Sequence, residues 1–259
     1  MALAGPRGYD SSVKLISLMY HDIVTSRTDR RYSFTLGEFR EHIAAIKDRV
    51  GAAPAILGDA SELSGFALTF DDGHPGWLQA AEALEELQWK AFFFVITGAI
   101  GKAGCVGRSD IKRLAALGHV IGSHSVDHPG HFSGRSDAFI LDQWRRSKAA
   151  LEEILGREVT SASVPGGFYS AGVARAAAIA GVRHLFTSEP VATSWNVGRC
   201  MVWGRFKLTN GMSSRKVARI AAGARSEHAR QFLPWNLKKA VKAVMLRPYL
   251  AIRKRIYPS

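Results

Sequence analysis

The stretch Phe66-Ala-Leu-Thr-Phe-Asp-Asp-Gly-His-Pro-Gly76 joins an apolar run to two adjacent carboxylates and a glycine. The apolar part predicts a buried strand. Neighbouring side chains of a strand point to opposite faces, but at a strand end Asp71 and Asp72 can both reach one cavity. Two such carboxylates repel each other, which indicates a positive partner such as a metal ion. An Asp-Gly turn after an edge strand accounts for the same residues.

A second stretch, His119-Val-Ile-Gly-Ser-His-Ser-Val-Asp-His-Pro-Gly-His131, favours the metal interpretation. It predicts a short apolar strand that runs into a polar loop and presents His124 and His128. Two neutral imidazoles and one carboxylate form a facial triad that leaves metal positions open for water and substrate. Such a centre suits metal-assisted hydrolysis. Either histidine alone could be a solvated loop residue, but the pair beside a double aspartate is much less expected by chance.

The two motifs resemble those of a known enzyme family. Thr69-Phe-Asp-Asp-Gly73 is similar to the first motif of the polysaccharide deacetylases (the NodB-homology group, carbohydrate esterase family 4). His124-Ser-Val-Asp-His128 resembles their second motif, His-Ser/Thr-x-x-His. The resemblance covers the chain from Leu15 to Phe186 and implies a metal-dependent enzyme that removes N-acetyl groups from a glycan. It implies Asp71 as the general base.

The resemblance also implies the metal site. Asp72, His124 and His128 are the expected ligands of a divalent ion, with zinc as the first choice and cobalt or nickel as alternatives.

The predicted first strand, Val13 to Tyr20, ends at a candidate general acid, His21. Many family members carry the acid in a late Leu-x-His motif, and none follows Phe186. The poly-N-acetylglucosamine deacetylases of biofilm loci instead have a Tyr-His near their start, which Tyr20-His21 resembles. The resemblance therefore implies that His21 protonates the leaving amine, and a surface loop histidine is the alternative.

The third family motif, Arg-x-Pro-aromatic-Gly, is only partly present at Ser163-Val-Pro-Gly-Gly167. Pro165 and the last glycine match, but Ser163 replaces the arginine that pairs with the base in the family. Either the catalytic base is left without the partner that orients it in the family, or another residue takes over that role. The amide of Gly166 is a candidate oxyanion donor, and Phe168 and Tyr169 are candidates for the missing aromatic wall.

Alternating strand and helix patterns predict a parallel sheet with helical cover. The family fold is a distorted (β/α) barrel, here of about seven parallel strands with a basic C-terminal helical extension. The motif residues fall at strand ends, where barrel enzymes place their sites. Thr35 and Glu38 predict a capping box that starts a helix, on which His42 is expected at the surface. Helices are also predicted at 77–89, 109–118 (with a Ser109 cap), 136–155, 173–180 and 211–222, and a last strand pair at 197–208.

The net charge of +13 is concentrated in the C-terminal part of the chain. From Arg199 onward there are 15 Lys or Arg and one acidic residue, Glu227, whereas the preceding part has a net charge of −1. We therefore expect a catalytic domain at residues 1–210 and a basic helical extension at 211–259. The tail from Trp235, with a kink expected at Pro248, is either packed on the barrel or in contact with an anionic membrane. Nucleic acid is not an expected partner, because no binding motif accompanies the charge.

The N-terminus lacks a signal-peptide pattern, and no stretch is long and apolar enough to span a membrane. The two cysteines form no metal or redox spacing. We therefore expect a cytoplasmic enzyme, associated through its tail with the inner face of the membrane, where a lipid-linked glycan is a fitting substrate. Two other hypotheses stay open: a glycan-binding pseudoenzyme, and an amide hydrolase for a non-glycan substrate.

Overall fold

The computed structural model describes residues 9–56 and 65–244, with the backbone alone for residues 9–13 and 238–244. The kink predicted at Pro248 lies outside the described residues. The strands are β1 (Tyr9–Tyr20), β2 (Asp22–Val24), β3 (Ser33–Thr35), β4 (Gly65–Asp72), β5 (Phe92–Val95), β6 (Val120–Ser123), β7 (Ser161–Ser163), β8 (His184–Phe186), β9 (Thr193–Val197), β10 (Cys200–Trp203) and β11 (Arg205–Lys207). The helices are α1 (Leu36–Val50), α2 (Trp77–Glu85), α3 (Arg108–Ala116), α4 (Asp137–Leu155), α5 (Ala171–Ile179), α6 (Ser214–Ala221) and α7 (Arg225–Val244).

Within the described residues, the main sheet closes into an irregular ring. Its order is β11-β1-β4-β5-β6-β7-β8-β10-β9, and β9 also pairs with β1. Seven strands around the ring, β1, β4 to β8 and β10, are parallel, which confirms the predicted distorted barrel. Strand β9 is antiparallel to both of its neighbours. Strand β11 lies parallel to the end of β1.

The two faces of the sheet bury different side chains, as the alternation of strand residues requires. Phe93 packs in the large cluster between the sheet and its helices. Its neighbours Phe92 and Phe94 belong to a small cluster inside the ring, together with Phe186 and Trp203. This aromatic plug fills the barrel below the strand ends and forms the floor on which the polar residues of the site lie.

Most predicted helices are confirmed, including the capping box of α1. The Thr35 side chain accepts a hydrogen bond from the Glu38 amide, and the Glu38 carboxylate accepts one from the Thr35 amide. The cap predicted at Ser109 is wrong. Helix α3 starts at Arg108, and its first turn is closed by Asp110, which accepts a hydrogen bond from the Gly107 amide.

The prediction of a surface position for His42 is also wrong. The side chain is buried between α1 and the strands. Its Nδ1 lies 3.2 Å from the Tyr20 hydroxyl, and its Nε2 lies 3.2 Å from the Met212 carbonyl oxygen. The histidine therefore links the first strand to the segment that precedes α6, a contact between residues 170 positions apart that helical periodicity cannot reveal.

We expect Gly122→Ala to lower the free energy of unfolding by about 1–3 kcal/mol, since overpacking a closed core forces its neighbours apart. A Cβ at this position of β6 would lie 2.6 Å from the Phe94 ring and 2.7 Å from the Ser161 carbonyl oxygen. Gly130→Ala is the control, because a Cβ there meets nothing within 4 Å. Equilibrium urea unfolding measures both variants, and equal stabilities would contradict the packing described for the plug.

Candidate active site

The two aspartates of β4 reach one cavity, as their place at the strand end predicts. Asp71 points into the ring and is buried, whereas Asp72 is half-buried at the edge of the cavity. Asp72 has a φ of +84°, which turns the chain at this residue. Positive φ is uncommon for a residue other than glycine, and such backbone strain is concentrated at functional sites.

His124, at the end of β6, and His128, in the loop beyond it, face Asp72. The His124 Nε2 lies 3.3 Å from the Asp72 Oδ1, and the His128 Nε2 lies 3.7 Å from the same oxygen. One ligand atom from each of the three residues lies within 4.8 Å of the other two. The structure therefore brings together the three predicted metal ligands, with Asp71 3.9 Å from the His124 Nε2.

The orientation of His124 is fixed from behind by β7. Its Nδ1 lies 3.0 Å from the Ser163 carbonyl oxygen and 2.5 Å from the Ser163 hydroxyl. The Ser163 hydroxyl in turn donates a hydrogen bond to the Asp71 Oδ1 at 3.2 Å. A proton on Nδ1 leaves the lone pair of Nε2 directed at Asp72, which is the tautomer that a metal ligand needs.

The loop that presents His128 is locked by α4. The side-chain oxygen of Gln143 accepts hydrogen bonds from the amides of Val126 and Asp127, and its nitrogen donates to the Asp127 carboxylate. The Ser125 hydroxyl accepts a hydrogen bond from the His128 amide. His128 itself has a φ of +48°. Several hydrogen bonds therefore hold the loop in a conformation that the backbone of His128 does not favour by itself.

The charges of the cluster favour a bound cation. Burial raises the pKa of Asp72, but His124 and the other nearby imidazoles outweigh burial and hold this pKa well below its ordinary value. Burial together with the charge of His124 lowers the pKa of His128 to about 4, so its imidazole is neutral at neutral pH. Burial lowers the pKa of His124, but the carboxylates of Asp71 and Asp72 raise it above its ordinary value. A cation at this point would take the place of that proton.

A metal ion would also satisfy a buried oxygen of the cluster. The Asp72 Oδ1 is buried, and among the described residues it is approached only by the two imidazole nitrogens at 3.3 and 3.7 Å, without a well-formed hydrogen bond. A buried carboxylate oxygen that is poorly bonded carries a desolvation cost, which a coordinated cation would remove. Two imidazole nitrogens and one carboxylate oxygen are a donor set that zinc and neighbouring divalent ions accept. The residues present therefore fit the divalent ion that the sequence predicts.

His21 follows β1 and lies near the same cavity. Its ring stacks on Tyr32 at a centroid distance of 4.7 Å, and its carbonyl oxygen accepts a hydrogen bond from the Trp77 indole. Its charge is one of those that lower the pKa values of Asp71 and Asp72. The His21 Nδ1 is buried and makes no hydrogen bond within the described part of the chain.

The third-motif segment forms a single 3-10 turn, Pro165–Gly167, directly after β7. Pro165 is buried, and Gly166 is exposed with a φ of +57°. Tyr169 is anchored to β9, because its hydroxyl accepts a 2.8 Å hydrogen bond from the Trp195 indole. The roles of Gly166, Pro165 and Tyr169 in substrate binding stay predictions.

Comparison with known proteins agrees with this geometry. Residues 62–185 match the family model described as polysaccharide deacetylase. This part of the chain is a polysaccharide deacetylase domain. It is 27% identical over 214 residues to YxkH of Bacillus subtilis strain 168, a protein named as a polysaccharide deacetylase, and the match covers 79% of this chain and 75% of YxkH.

Solved structures share the fold. IcaB from Ammonifex degensii superposes with a TM-score of 0.67 at 24% identity, over 81% of this chain and 97% of IcaB. The deacetylase PplD from Streptococcus pyogenes, solved in complex with acetate, superposes with a TM-score of 0.69 at 20% identity, over 81% of this chain and 98% of PplD. These likenesses show that the chain shares the barrel fold of both proteins.

The deacetylase arginine missing from the third motif has a counterpart on another strand. Arg205 of β11 is fully buried, and its guanidinium forms a two-pronged ion pair with Asp71, with nitrogen–oxygen distances of 2.7 and 2.8 Å. Its Nε donates to the Thr187 carbonyl oxygen at 2.8 Å. Burial raises the pKa of Asp71, but Arg205 and His124 outweigh burial and lower it below its ordinary value. Asp71 is therefore ionised at neutral pH.

The role of Arg205 was not among the predictions from the sequence. The sequence does carry a signal for this residue, because the arginine stands in the predicted last strand pair between two apolar residues, Trp203 and Phe206. In the structure its position is in register with a buried position of β1. A charged residue at such a position is seldom buried unless it is paired. The pairing itself could not be read, because Asp71 lies 134 residues earlier in the chain.

We expect Arg205→Met to lower the free energy of unfolding by about 3–5 kcal/mol, because it leaves the buried Asp71 carboxylate without its partner. Asp71→Asn/Arg205→Met should recover part of the loss, since no unpaired charge then remains. Urea unfolding at neutral pH measures both variants.

The dependence of this effect on pH gives a second check. The folded-state pKa of Asp71 is lowered, so the stability that it contributes is present above its unfolded pKa of about 3.9 and is lost as the pH falls through the folded value. The advantage of the wild-type protein over the double variant should therefore shrink in acid. A difference that grows as the pH falls would contradict the ion pair.

Proposed function

We propose that the protein is a metal-dependent hydrolase that removes N-acetyl groups from an N-acetylated sugar in a polysaccharide or lipid-linked glycan. Family membership implies a deacetylase, and the family generally uses a divalent metal and acts on N-acetylated polysaccharides. The observation that carries the proposal is the convergence of Asp72, His124 and His128 within 4.8 Å, beside the buried carboxylate of Asp71.

Asp72, His124 and His128 would hold the metal, with zinc as the first choice. A divalent ion at this position lowers the pKa of a water molecule and polarises the acyl oxygen of the substrate. The Ser163 hydrogen bond keeps the Nε2 of His124 available, and the bonds of Gln143 hold the His128 loop in place. These contacts preorganise the ligands before substrate binds.

Asp71 acts as the general base in this proposal. Its two oxygens are held by Arg205 and Ser163, so the carboxylate cannot rotate away from the cavity. The ion pair keeps the carboxylate ionised and therefore able to accept a proton from the attacking water. Arg205 acts through Asp71 and is a positioning residue.

His21 acts as the general acid that protonates the departing amine. Its ring is held by stacking on Tyr32, and its charge is felt by both aspartates. The exposed amide of Gly166 is the candidate donor to the oxyanion, which forms as water adds to the acyl carbon. The products are a free amine on the sugar and acetate.

The pseudoenzyme hypothesis rested on the missing arginine of the third motif. Arg205 supplies a guanidinium to the same aspartate, which removes that ground. The hypothesis of another amide hydrolase differs in substrate alone, so the experiments below separate it from glycan deacetylation.

We also propose that the basic tail contacts an anionic surface at the inner face of the membrane. Among the described residues, no helix is long and apolar enough to cross a bilayer.

Acetate release from N-acetylglucosamine oligomers tests the function. We expect release that is lost on chelation, restored by zinc, and reduced by about 10²–10⁴-fold in Asp71→Asn, because a general base contributes on that order. Asp142→Asn, an exposed aspartate on α4, is the matched control and should retain full activity. Chelator-resistant release, or full activity in Asp71→Asn, would overturn the proposal. Stoichiometric zinc without release would point to another amide substrate.

The metal content of two histidine variants tests the assignment of roles. His124→Ala should lose bound zinc and activity together, since it removes a ligand from the cluster. His21→Ala should keep zinc and lose about 10²–10⁴-fold in kcat, since it removes a proton donor. Elemental analysis after dialysis gives the metal content, and the reverse pattern would refute the assignment.

A further inference from the structure

The exposed apolar side chains of the protein are concentrated on one helix. The described residues include four large hydrophobic side chains that are exposed, and three of them, Phe232, Leu233 and Leu237, lie on α7. Leu233 and Leu237 are 67% and 68% exposed. The fourth, Ile179, stands at the end of α5. A single exposed hydrophobic residue is ordinary, but a cluster on one helix marks a contact surface.

The opposite face of α7 is fixed to the barrel. The Gln231 side chain accepts a hydrogen bond from the Lys207 amide and donates one to the Lys207 carbonyl oxygen. The His228 ring stacks on Phe206 of β11 at 3.9 Å between centroids. Because these contacts hold the inner face of α7 against the barrel, the apolar side chains of the outer face cannot turn inward.

The inner face of α7 also contacts the turn that follows Ser163. Trp235 stands one helical turn from Gln231, and the Lys207 ammonium lies 5.0 Å from the centre of its ring. The edge of the indole is 3.3 Å from the position of a Cβ on Gly167, the last residue of the third-motif turn. A surface that contacts the outer face of α7 is therefore separated from this turn by little more than the width of the helix, about 10–12 Å.

The sequence that follows this face carries charge of one sign. Glu227, the acidic residue of α7, is buried and paired with Arg219 and Arg230. The sequence from Lys238 to the end has seven Lys or Arg and no Asp or Glu. Two copies meeting through this face would bring like charges together, whereas a negatively charged surface attracts them. Exposed apolar residues next to basic ones match an anionic lipid interface.

We propose that the outer face of α7 is a docking surface for an anionic lipid bilayer. Leu233 and Leu237, with Phe232 at their side, enter the boundary between head groups and acyl chains, and the positive charge of the C-terminal sequence attracts the lipid phosphates. Docking through α7 holds the third-motif turn close to the membrane surface, so the substrate is a glycan carried at that surface. This last step rests on the proposed deacetylase activity, whereas the docking itself does not.

Flotation with lipid vesicles tests the docking surface. The full-length wild-type protein should float with vesicles of phosphatidylcholine and phosphatidylglycerol and not with phosphatidylcholine alone. Leu233→Ser/Leu237→Ser, which keeps every charge, should bind the anionic vesicles about tenfold more weakly. Ile179→Ser, which removes an equally exposed side chain elsewhere, should bind as the wild type does. All three proteins should melt at the same temperature, since the changed side chains are exposed.

Three results would overturn the proposal. The first is no binding of the wild type to anionic vesicles. The second is equal binding of the double variant, which would assign the attraction to the tail charge alone. The third is a dimer that the wild type forms without lipid and the double variant does not form, which would make a second copy of the chain the partner. Acetate release from soluble oligomers should be unchanged in the double variant, so failure of docking and failure of the deacetylase proposal give different results.

Discussion

The ion pair between Asp71 and Arg205 is the constraint on which the rest of the site depends. Taking two charges out of water costs several kcal/mol for each ion, and the cost is offset only when geometry and hydrogen bonding are complete. Here both oxygens of the carboxylate and three nitrogens of the guanidinium have partners within the described residues. The plug below supplies Phe94, whose ring centre lies 5.7 Å from the Arg205 guanidinium carbon. The pair cannot shift without leaving a buried charge unpaired.

This ion pair joins distant parts of the chain at one point. Asp71 comes from β4, Arg205 from β11, and Ser163, which contacts both Asp71 and His124, from β7. Helix α7 then braces β11 through Gln231 and His228. The basic C-terminal part of the sequence is therefore connected to the Asp71 carboxylate by two successive sets of contacts, and α6 buries Val217 and Ile220 in the main core. The division at residue 210 stays a prediction, although the two parts pack closely.

The sequence predicted those features of the structure that depend on interactions between residues close together in the chain. The double aspartate, the paired histidines and the capping box of α1 each rest on residues within a few positions of one another. The alternation of strands and helices indicated a parallel sheet, and the family resemblance implied that it forms a distorted barrel. The misses concern contacts between distant residues. His42 is buried because Tyr20 and Met212 receive its ring. Arg205 is recognised as part of the site only once β11 has paired with β1, which separates it from β4 by a single strand. The predicted last strand pair starts four residues late, since β9 begins at Thr193.

The closure of the ring by β9 has a consequence for synthesis on the ribosome. Strand β1 pairs with β4, β9 and β11, so two of its three partners are made about 180 residues after it. Until then one edge of β1 carries unpaired backbone groups and can pair with another nascent chain. The barrel can close only after the segment from Thr193 to Lys207 has been made, and the same segment carries Arg205. An intermediate with an open ring therefore also lacks the guanidinium that pairs with Asp71, so the barrel closes and the Asp71–Arg205 ion pair forms in the same late step.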